Sequence, residues 1–427
     1  HSETKVLFVG KLDDYPSMKP GVPDDIYCIS YPFYEHHEYD NWDKLIKNTE
    51  PLAENINRDK GELATIIYTS GTTGMPKGVM HKFHNLSFVS TNAVKMLELS
   101  KSGERFFSYL PLCHIAERML VEMGSIYSGG SVSFAESLDS FPKNLADTKP
   151  TVFLAVPRIW TKFQQGILKK MPQHKLDFLL KIPVLSGIIK KKIKAGLGLS
   201  EAKNIFTGAA PMPVELTKWF DKLGIKIQEA YAMTENCCYS HVTLNNLIKI
   251  GYAGQALPYV TIKLSNEAEI MVKHEGLMDG YYKEPEMTEE SFSEGYFKTG
   301  DTGEIDSEGF LKITGRVKDL FKTSKGKYVA PTPIEQKINN NPYIEQVCLV
   351  GSGLPQPILL TTLSENAKNQ SKEEINLSFK ALLNHVNKEL ESHEEIKKII
   401  ILKEEWTIEN ELAAHGMNGA KRLSVPT

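Results

Sequence analysis

The chain has 427 residues, a formal net charge of −3, 41% hydrophobic residues and 24% charged residues. This is an ordinary globular composition, long enough for two or three domains, and its near-balanced charge supplies no global field for nucleic acid or an anionic membrane. Cys28, Cys113, Cys237, Cys238 and Cys348 form no C-x-x-C pair, which argues against a disulfide framework or zinc site and for a reducing, cytoplasmic compartment; no apolar run approaches the roughly 18 residues of a membrane span.

The amino end has no signal-peptide pattern. His1-Ser-Glu-Thr runs straight into a strand-like Lys5–Gly10, as if inside a domain, so a truncated or processed chain is expected. Residues 1–60 alternate short apolar runs with turns such as Asp13–Pro16 and Pro23–Asp25. Trp42–Ile46 opens a short helix pattern, and no site is legible in this region.

Ala64–Tyr68 is strand-like, while Leu86, Val89, Ala93, Met96 and Leu97 recur at helical spacing. Between them lies Tyr68-Thr-Ser-Gly-Thr-Thr-Gly-Met-Pro-Lys-Gly-Val79. It reads as a strand-to-helix loop, a common phosphate site in α/β folds. Gly71, Gly74 and Gly78 let backbone N–H groups approach an anion. The hydroxyls of Thr69, Ser70, Thr72 and Thr73 can donate to phosphate oxygens or ligate Mg²⁺, and Lys77 adds a point charge. It is not a Walker A loop, because Pro76 precedes Lys77 and Gly78 follows. A flexible surface turn is the bland alternative.

A strand from Phe106 runs into Pro111, and a helix then carries His114, Glu117 and Arg118. Taken alone, His114 reads as a structural histidine and Glu117–Arg118 as a surface pair. Strand Ser131–Phe134, a helix ending before Pro150 and strand Thr151–Val156 continue an alternation that predicts a mainly parallel sheet with helices on its faces. Residues 176–198 are apolar and basic together. They read either as a core-covering helix with a solvated lysine face or as a surface in transient contact with a membrane. Strand Ile205–Gly208, helix Val214–Leu223 with Pro213 at its start, and strand Ile225–Tyr231 follow. Gly208-Ala-Ala and Tyr231-Ala-Met-Thr-Glu235 thus sit at strand carboxyl ends, where open sheets bind ligands. Residues 251–315 read as a small β-rich subdomain with a hairpin turn at Asp306–Gly309. Thr332-Pro333-Ile-Glu335 is an N-cap and first-turn signature. Strand 344–350, helix 373–391 and strand 398–402 complete a small α+β lid.

The loop at 68–79 resembles the phosphate loop of adenylate-forming enzymes. Pro111-Leu-Cys-His114-Ile-Ala-Glu117-Arg118 is similar to a segment of long-chain acyl-CoA synthetases. Gly208-Ala-Ala-Pro211, Tyr231-Ala-Met-Thr-Glu235 (Ala232 replacing the usual Gly), Thr299-Gly-Asp301 and Gly315-Arg-Val-Lys-Asp319 follow in that family's order. The resemblance implies an α/β fold with an adenylation core over residues 1–316 and a mobile lid over 317–427. It implies a fatty-acid–CoA ligase using ATP, Mg²⁺ and coenzyme A, peripheral at most to the inner face of a membrane. In that reading Thr69, Ser70, Gly71, Thr72, Thr73, Gly74, Lys77, His114, Gly208, Glu229, Ala230, Tyr231, Thr234, Asp301, Arg316, Lys318 and Gly326 bind the nucleotide and CoA. Tyr231 stacks on adenine, Thr234 meets the α-phosphate and Asp301 takes the ribose hydroxyls. Glu235 and Thr69 hold the metal, while Lys77, Thr234 and Glu235 act on the phosphates. Lys318 is the hinge, and Gly326 lies at the tip of a hairpin that swings inward. One segment departs: Thr407-Ile-Glu-Asn410 matches, but the Thr-Pro-Thr after it is absent. The adenylation lysine is expected near Met417–Gly419, and only Lys421 is close. A fatty acyl-AMP ligase, another CoA-independent adenylating enzyme, or an inactive acyl- or ATP-binding remnant are the competing readings.

Overall fold

The computed structural model describes residues 2–10, 15–32, 38–69, 76–99, 103–339, 341–368, 370–404 and 406. The chain divides into two compact units, residues 1–59 and residues 60–427.

The first unit holds a parallel three-stranded sheet, Val6–Val9, Tyr27–Ser30 and Asp40–Asn41. Helix Trp42–Lys47 follows directly. The Asn41 side chain accepts from the N–H groups of Asp43 at 3.0 Å and Lys44 at 3.3 Å, satisfying first-turn donors that have no partner within a helix.

The second unit is α/β. Its central sheet has seven strands in the spatial order Gln255–Ala256, His241–Val242, Gln228–Tyr231, Asn204–Thr207, Val152–Ala155, Arg105–Ser108 and Ser131–Phe134. The last five are mutually parallel. Successive side chains point to opposite faces. Phe106, Val152 and Phe206 join Leu86 and Val89 in one apolar cluster. Phe107, Phe153 and Ile205 join Leu145, Trp160 and Phe220 in another. Both faces of the central strands are packed, which is why Phe106–Phe107, Val152–Ala155 and Ile205–Phe206 are apolar at consecutive positions.

Two local expectations fail. Residues 68–79 do not connect a strand to a helix. Leu63–Thr69 pairs antiparallel with a second strand, Lys77–Lys82, and helix Phe83–Met96 begins only after it. Buried Val79 and His81 alternate with half-buried Met80, a strand pattern masked in the sequence by the Lys-Gly at its start. Farther on, Thr332 is not an N-cap. The helix spans Pro331–Ile338 with Ala330 in the cap position and no side-chain cap, because proline is well tolerated at the first helical position.

The basic segment splits into helices Gln173–Leu180 and Pro183–Gly196, since Pro183 cannot continue the first. Residues 261–316 build an antiparallel five-stranded sheet of Thr261–Leu264, Glu269–Lys273, Phe292–Ser293, Tyr296–Ile305 and Leu311–Arg316. The carboxyl-terminal part packs helices Pro331–Ile338 and Lys372–Val386 against strands Ile344–Val350, Ile358–Leu363 and Ile399–Ile401. The longer helix ends at Val386, short of the expected 391, in a single 3₁₀ turn, Asn387–Glu389.

Candidate active site

A cavity of about 850 Å³ lies against the first of the two sheet faces, at the carboxyl ends of the parallel strands. It has two chemically different ends.

One end is an apolar arm. Val89, Ala93, Met96 and Leu97 supply one wall, Leu154, Phe206 and Val242 the sheet wall, and Ile115, Met119 and Leu120 a third. Residues 89, 93, 96 and 97 share one face of helix Phe83–Met96 and its end, so this wall runs for about 12 Å at the helical rise per residue. Met119 and Leu120 lie on a π-helical stretch, Glu117–Met123, a geometry frequent at functional sites. Glu117 and Arg118 do not line the cavity. Glu117 accepts from the Leu110 N–H at 3.3 Å, and burial pushes its carboxyl pKa up. Arg118 pairs with Glu122 at 2.9 Å. The Glu-Arg pair therefore shapes the wall. His114 does line the cavity. Its Nδ1 accepts from the Ala116 N–H at 3.2 Å, and burial lowers its pKa.

The other end is polar. Thr69, Lys77, Thr234, Glu235, Tyr281, Lys298, Arg316 and Lys318 line it, with Gly208 and Ala230 behind. Lys77 Nζ sits 5.0 Å from the centroid of the Tyr281 ring. The Tyr281 hydroxyl donates to Glu235 Oε1 at 3.0 Å. Burial, with Glu235 beside it, raises the pKa of Tyr281, so the phenol keeps its proton and remains a donor. Tyr281 carries no recognisable signal of its own in the sequence. It is delivered by a short strand, Gly280–Tyr281, that pairs with Val79 and Met80.

The turn carrying Thr234 and Glu235 is held from outside the cavity. The Thr234 carbonyl accepts from the Cys237 N–H at 3.0 Å and from His81 Nε2–H at 2.8 Å. The Glu235 carbonyl accepts from the Met278 N–H at 2.8 Å, and Asn236 Oδ1 from the Met233 N–H at 2.9 Å. Burial lowers the His81 pKa to about 4. The ring is therefore neutral near pH 7, and a carbonyl partner assigns its one N–H to Nε2. Cys237 and Cys238 follow with φ of +54° and +59°, a left-handed pair that persists only where its surroundings hold it.

Tyr231 and Asp301 stand apart from the cavity, although their neighbours Ala230, Ala232, Thr299 and Gly300 line it. Asp301 accepts from the Tyr231 hydroxyl at 2.9 Å and from Arg316 Nε at 2.9 Å. Its burial raises the carboxyl pKa, against the opposing pull of Arg316. Tyr231 is thus tied to Asp301 rather than presented as an open stacking face, and ribose recognition by Asp301 would require Arg316 to yield. Glu229 also faces away. Its Oε1 is buried without a hydrogen-bond partner among the described residues, and burial pushes its pKa up to about 7. Gly326, at φ +77°, is exposed between Phe321–Lys322 and Tyr328–Val329 and is not part of the cavity. Ser70, Gly71, Thr72, Thr73, Gly74 and Lys421 lie outside the described residues.

The donor set suits a magnesium nucleotide. Mg²⁺ is commonly held by one or two carboxylates together with substrate phosphates. Here Glu235 and Thr69 both line the cavity, and the second oxygen of Glu235 takes no hydrogen bond among the described residues. Lys77, Lys298, Arg316 and Lys318 line the cavity together with the carboxylates of Glu235, Glu269 and Glu290, so cations and carboxylates are interleaved there.

Residues 1–282 match the AMP-binding enzyme family, and residues 318–413 match the AMP-binding enzyme C-terminal domain. The chain is 32% identical over 330 residues to the long-chain-fatty-acid–CoA ligase FadD15 of Mycobacterium bovis, covering 71% of this chain and 55% of that protein. It is 30% identical over 354 residues to long chain acyl-CoA synthetase 3 of Arabidopsis thaliana, covering 73% of this chain and 53% of that one. The chain thus spans about half the length of the curated relatives it matches. Its fold is similar to that of the anthranilate CoA ligase AuaEII in complex with anthranoyl-AMP. The TM-score is 0.76 at 18% identity, over 98% of this chain and 77% of the other.

Proposed function

The chain belongs to the AMP-binding enzyme family, and from that premise we propose that it is an ATP-dependent fatty-acid–CoA ligase. One observation carries this reading: a single cavity joins a polar end, bearing lysines, an arginine, carboxylates and hydroxyls, to an apolar arm. An alkyl chain in the arm places its carboxylate among Lys77, Thr234 and Glu235. ATP binds at the polar end, and the carboxylate attacks its α-phosphorus, expelling pyrophosphate. The thiol of coenzyme A then displaces AMP from the acyl-adenylate to give the thioester. Lys77 opposes the charge that develops on the phosphates. Glu235 and Thr69 would hold Mg²⁺, which supplies charge neutralisation when bound. Tyr281 orients the Glu235 carboxylate and packs its ring against Lys77. Residues 317–427 serve as a lid that turns about Lys318 between the two steps, and Lys421 is the candidate for the lysine missing near Met417–Gly419.

The test separates the half-reactions. Acid-dependent exchange of pyrophosphate into ATP reports the first, and loss of free CoA thiol reports the second. Both are expected across a series of fatty acids. In Lys318→Pro, exchange should persist while thioester formation fails, since proline restricts φ at the hinge. Exchange without CoA consumption in the unmutated chain would make it an adenylating enzyme of another kind, and absence of both activities would overturn the reading.

A further inference from the structure

Charge along this chain is segregated. Residues 157–200 hold ten of the 50 basic residues and only one of the 53 acidic ones, Asp177, a net +9. The rest of the chain therefore carries −12. The two helices at the heart of that segment each bury one side. Leu176, Leu180, Ile189 and Ile193 pack into the cluster around Trp160 and Phe220. Their outer side keeps large apolar groups in solvent: Phe178 is 63% exposed, Val184 76% and Ile188 52%. Val184, Ile188 and Lys192 follow one another at i, i+4 spacing along one helix face. Lys181 and Lys191 are exposed beside them. Among the described residues none of these three lysines is held in an ion pair, although Arg158 at the start of the segment pairs with Glu345.

We propose that the outer face of helices Gln173–Leu180 and Pro183–Gly196 docks on an anionic phospholipid surface. The geometry matches what such a surface asks for. Apolar side chains enter the boundary between headgroups and acyl chains, and lysines flank them with stems that lie along the apolar layer while their charges reach the phosphates. Asp177 is the one acidic residue on these two helices, so most of the complement to their lysines must come from the partner. No helix of the described residues is long and apolar enough to cross a membrane, so the contact is one of lying on the surface. Docking does not depend on the ligase reading, because it is assayed without substrate.

The experiment is co-sedimentation of the 427-residue protein with vesicles of phosphatidylcholine alone or of phosphatidylcholine mixed with phosphatidylglycerol. Binding should strengthen by at least a decade with the anionic lipid and weaken as salt is raised. The variant K181E/K191E/K192E should lose at least two decades of affinity for the anionic vesicles, roughly fivefold for each lysine charge removed from an anionic surface and more from the repulsion of the glutamates. F178S/V184S/I188S should weaken binding to both compositions. These side chains are exposed, so the thermal midpoint should hold. If either triple variant unfolds, K191E and V184S singly give the same comparison at smaller amplitude. Equal binding to both vesicle types, or a charge variant that binds like the unmutated protein, would overturn the proposal. So would capture of soluble heparin with no binding to vesicles.

Discussion

At the scale of single residues, two buried groups near the cavity do their work without entering it. His81 adds a second donor to the Thr234 carbonyl, and so helps set the tilt of the turn that presents Thr234 and Glu235. Removing that bond in His81→Leu should slow pyrophosphate exchange by about one decade, the scale of one buried hydrogen bond. His81→Gln, which keeps an amide N–H at similar reach, should restore most of it. Equal loss in both variants would mean that the imidazole merely fills space. Glu229 sets a pH dependence. Its folded pKa of about 7 lies above that of an unfolded glutamate, so the native state binds more protons between roughly pH 4.5 and 7. Stability therefore falls as pH rises through that window, and the full penalty is present above it. The neutral isostere Glu229→Gln should match the unmutated protein near pH 4 and exceed it by up to about 3 kcal/mol near pH 8. Denaturant melts at the two pH values check this, and a pH-independent difference would place the effect elsewhere.

At the scale of elements, helix Phe83–Met96 decides what the apolar arm can hold. Ala93 is the small residue in its cavity-facing row, between Val89 and Met96. Ala93→Phe should block the arm partway along. The KM for long acids is expected to rise tenfold or more while short acids are little affected, read as thioester formation across a chain-length series. Unchanged long-chain KM values would move the alkyl chain out of this arm. The helix and its apolar face were legible in the sequence because period and composition agree. So were the central parallel strands, whose two packed faces demand consecutive apolar residues such as Val152–Ala155. The hairpin that closes on Lys77 was not legible, since its second strand opens with Lys-Gly, poor strand formers that tertiary pairing overrides. Tyr281 was hidden for a different reason. It reaches Glu235 through pairing with a strand some two hundred positions earlier in the chain, and no local pattern reports such a contact. The residues of Tyr231-Ala-Met-Thr-Glu235 were identifiable as a group, but only the folded chain shows that Ala232, Met233, Thr234 and Glu235 line the cavity while Tyr231, the last residue of its strand, turns to Asp301.

At the scale of the whole molecule, a small net charge conceals a large asymmetry, with +9 confined to residues 157–200 and −12 spread over the rest. Such a particle behaves as a sticky dipole. Near its isoelectric point of about 6.5, monopole repulsion between copies vanishes while the lysine face of one still attracts the acidic surface of another. Most proteins are driven together by concentrated salt, but this one should first be driven apart by modest salt. Once the screening length falls to about 8 Å at physiological ionic strength, the oppositely charged faces lose sight of each other. Static light scattering at pH 6.5 should therefore find a negative second virial coefficient at low salt that climbs as salt is added. A coefficient that is positive at low salt and falls would mean that the asymmetry has no reach beyond the surface. The same faces that guide the molecule to a partner thus make it a poor neighbour to itself in dilute buffer, and ionic strength becomes the variable that sets its colloidal state.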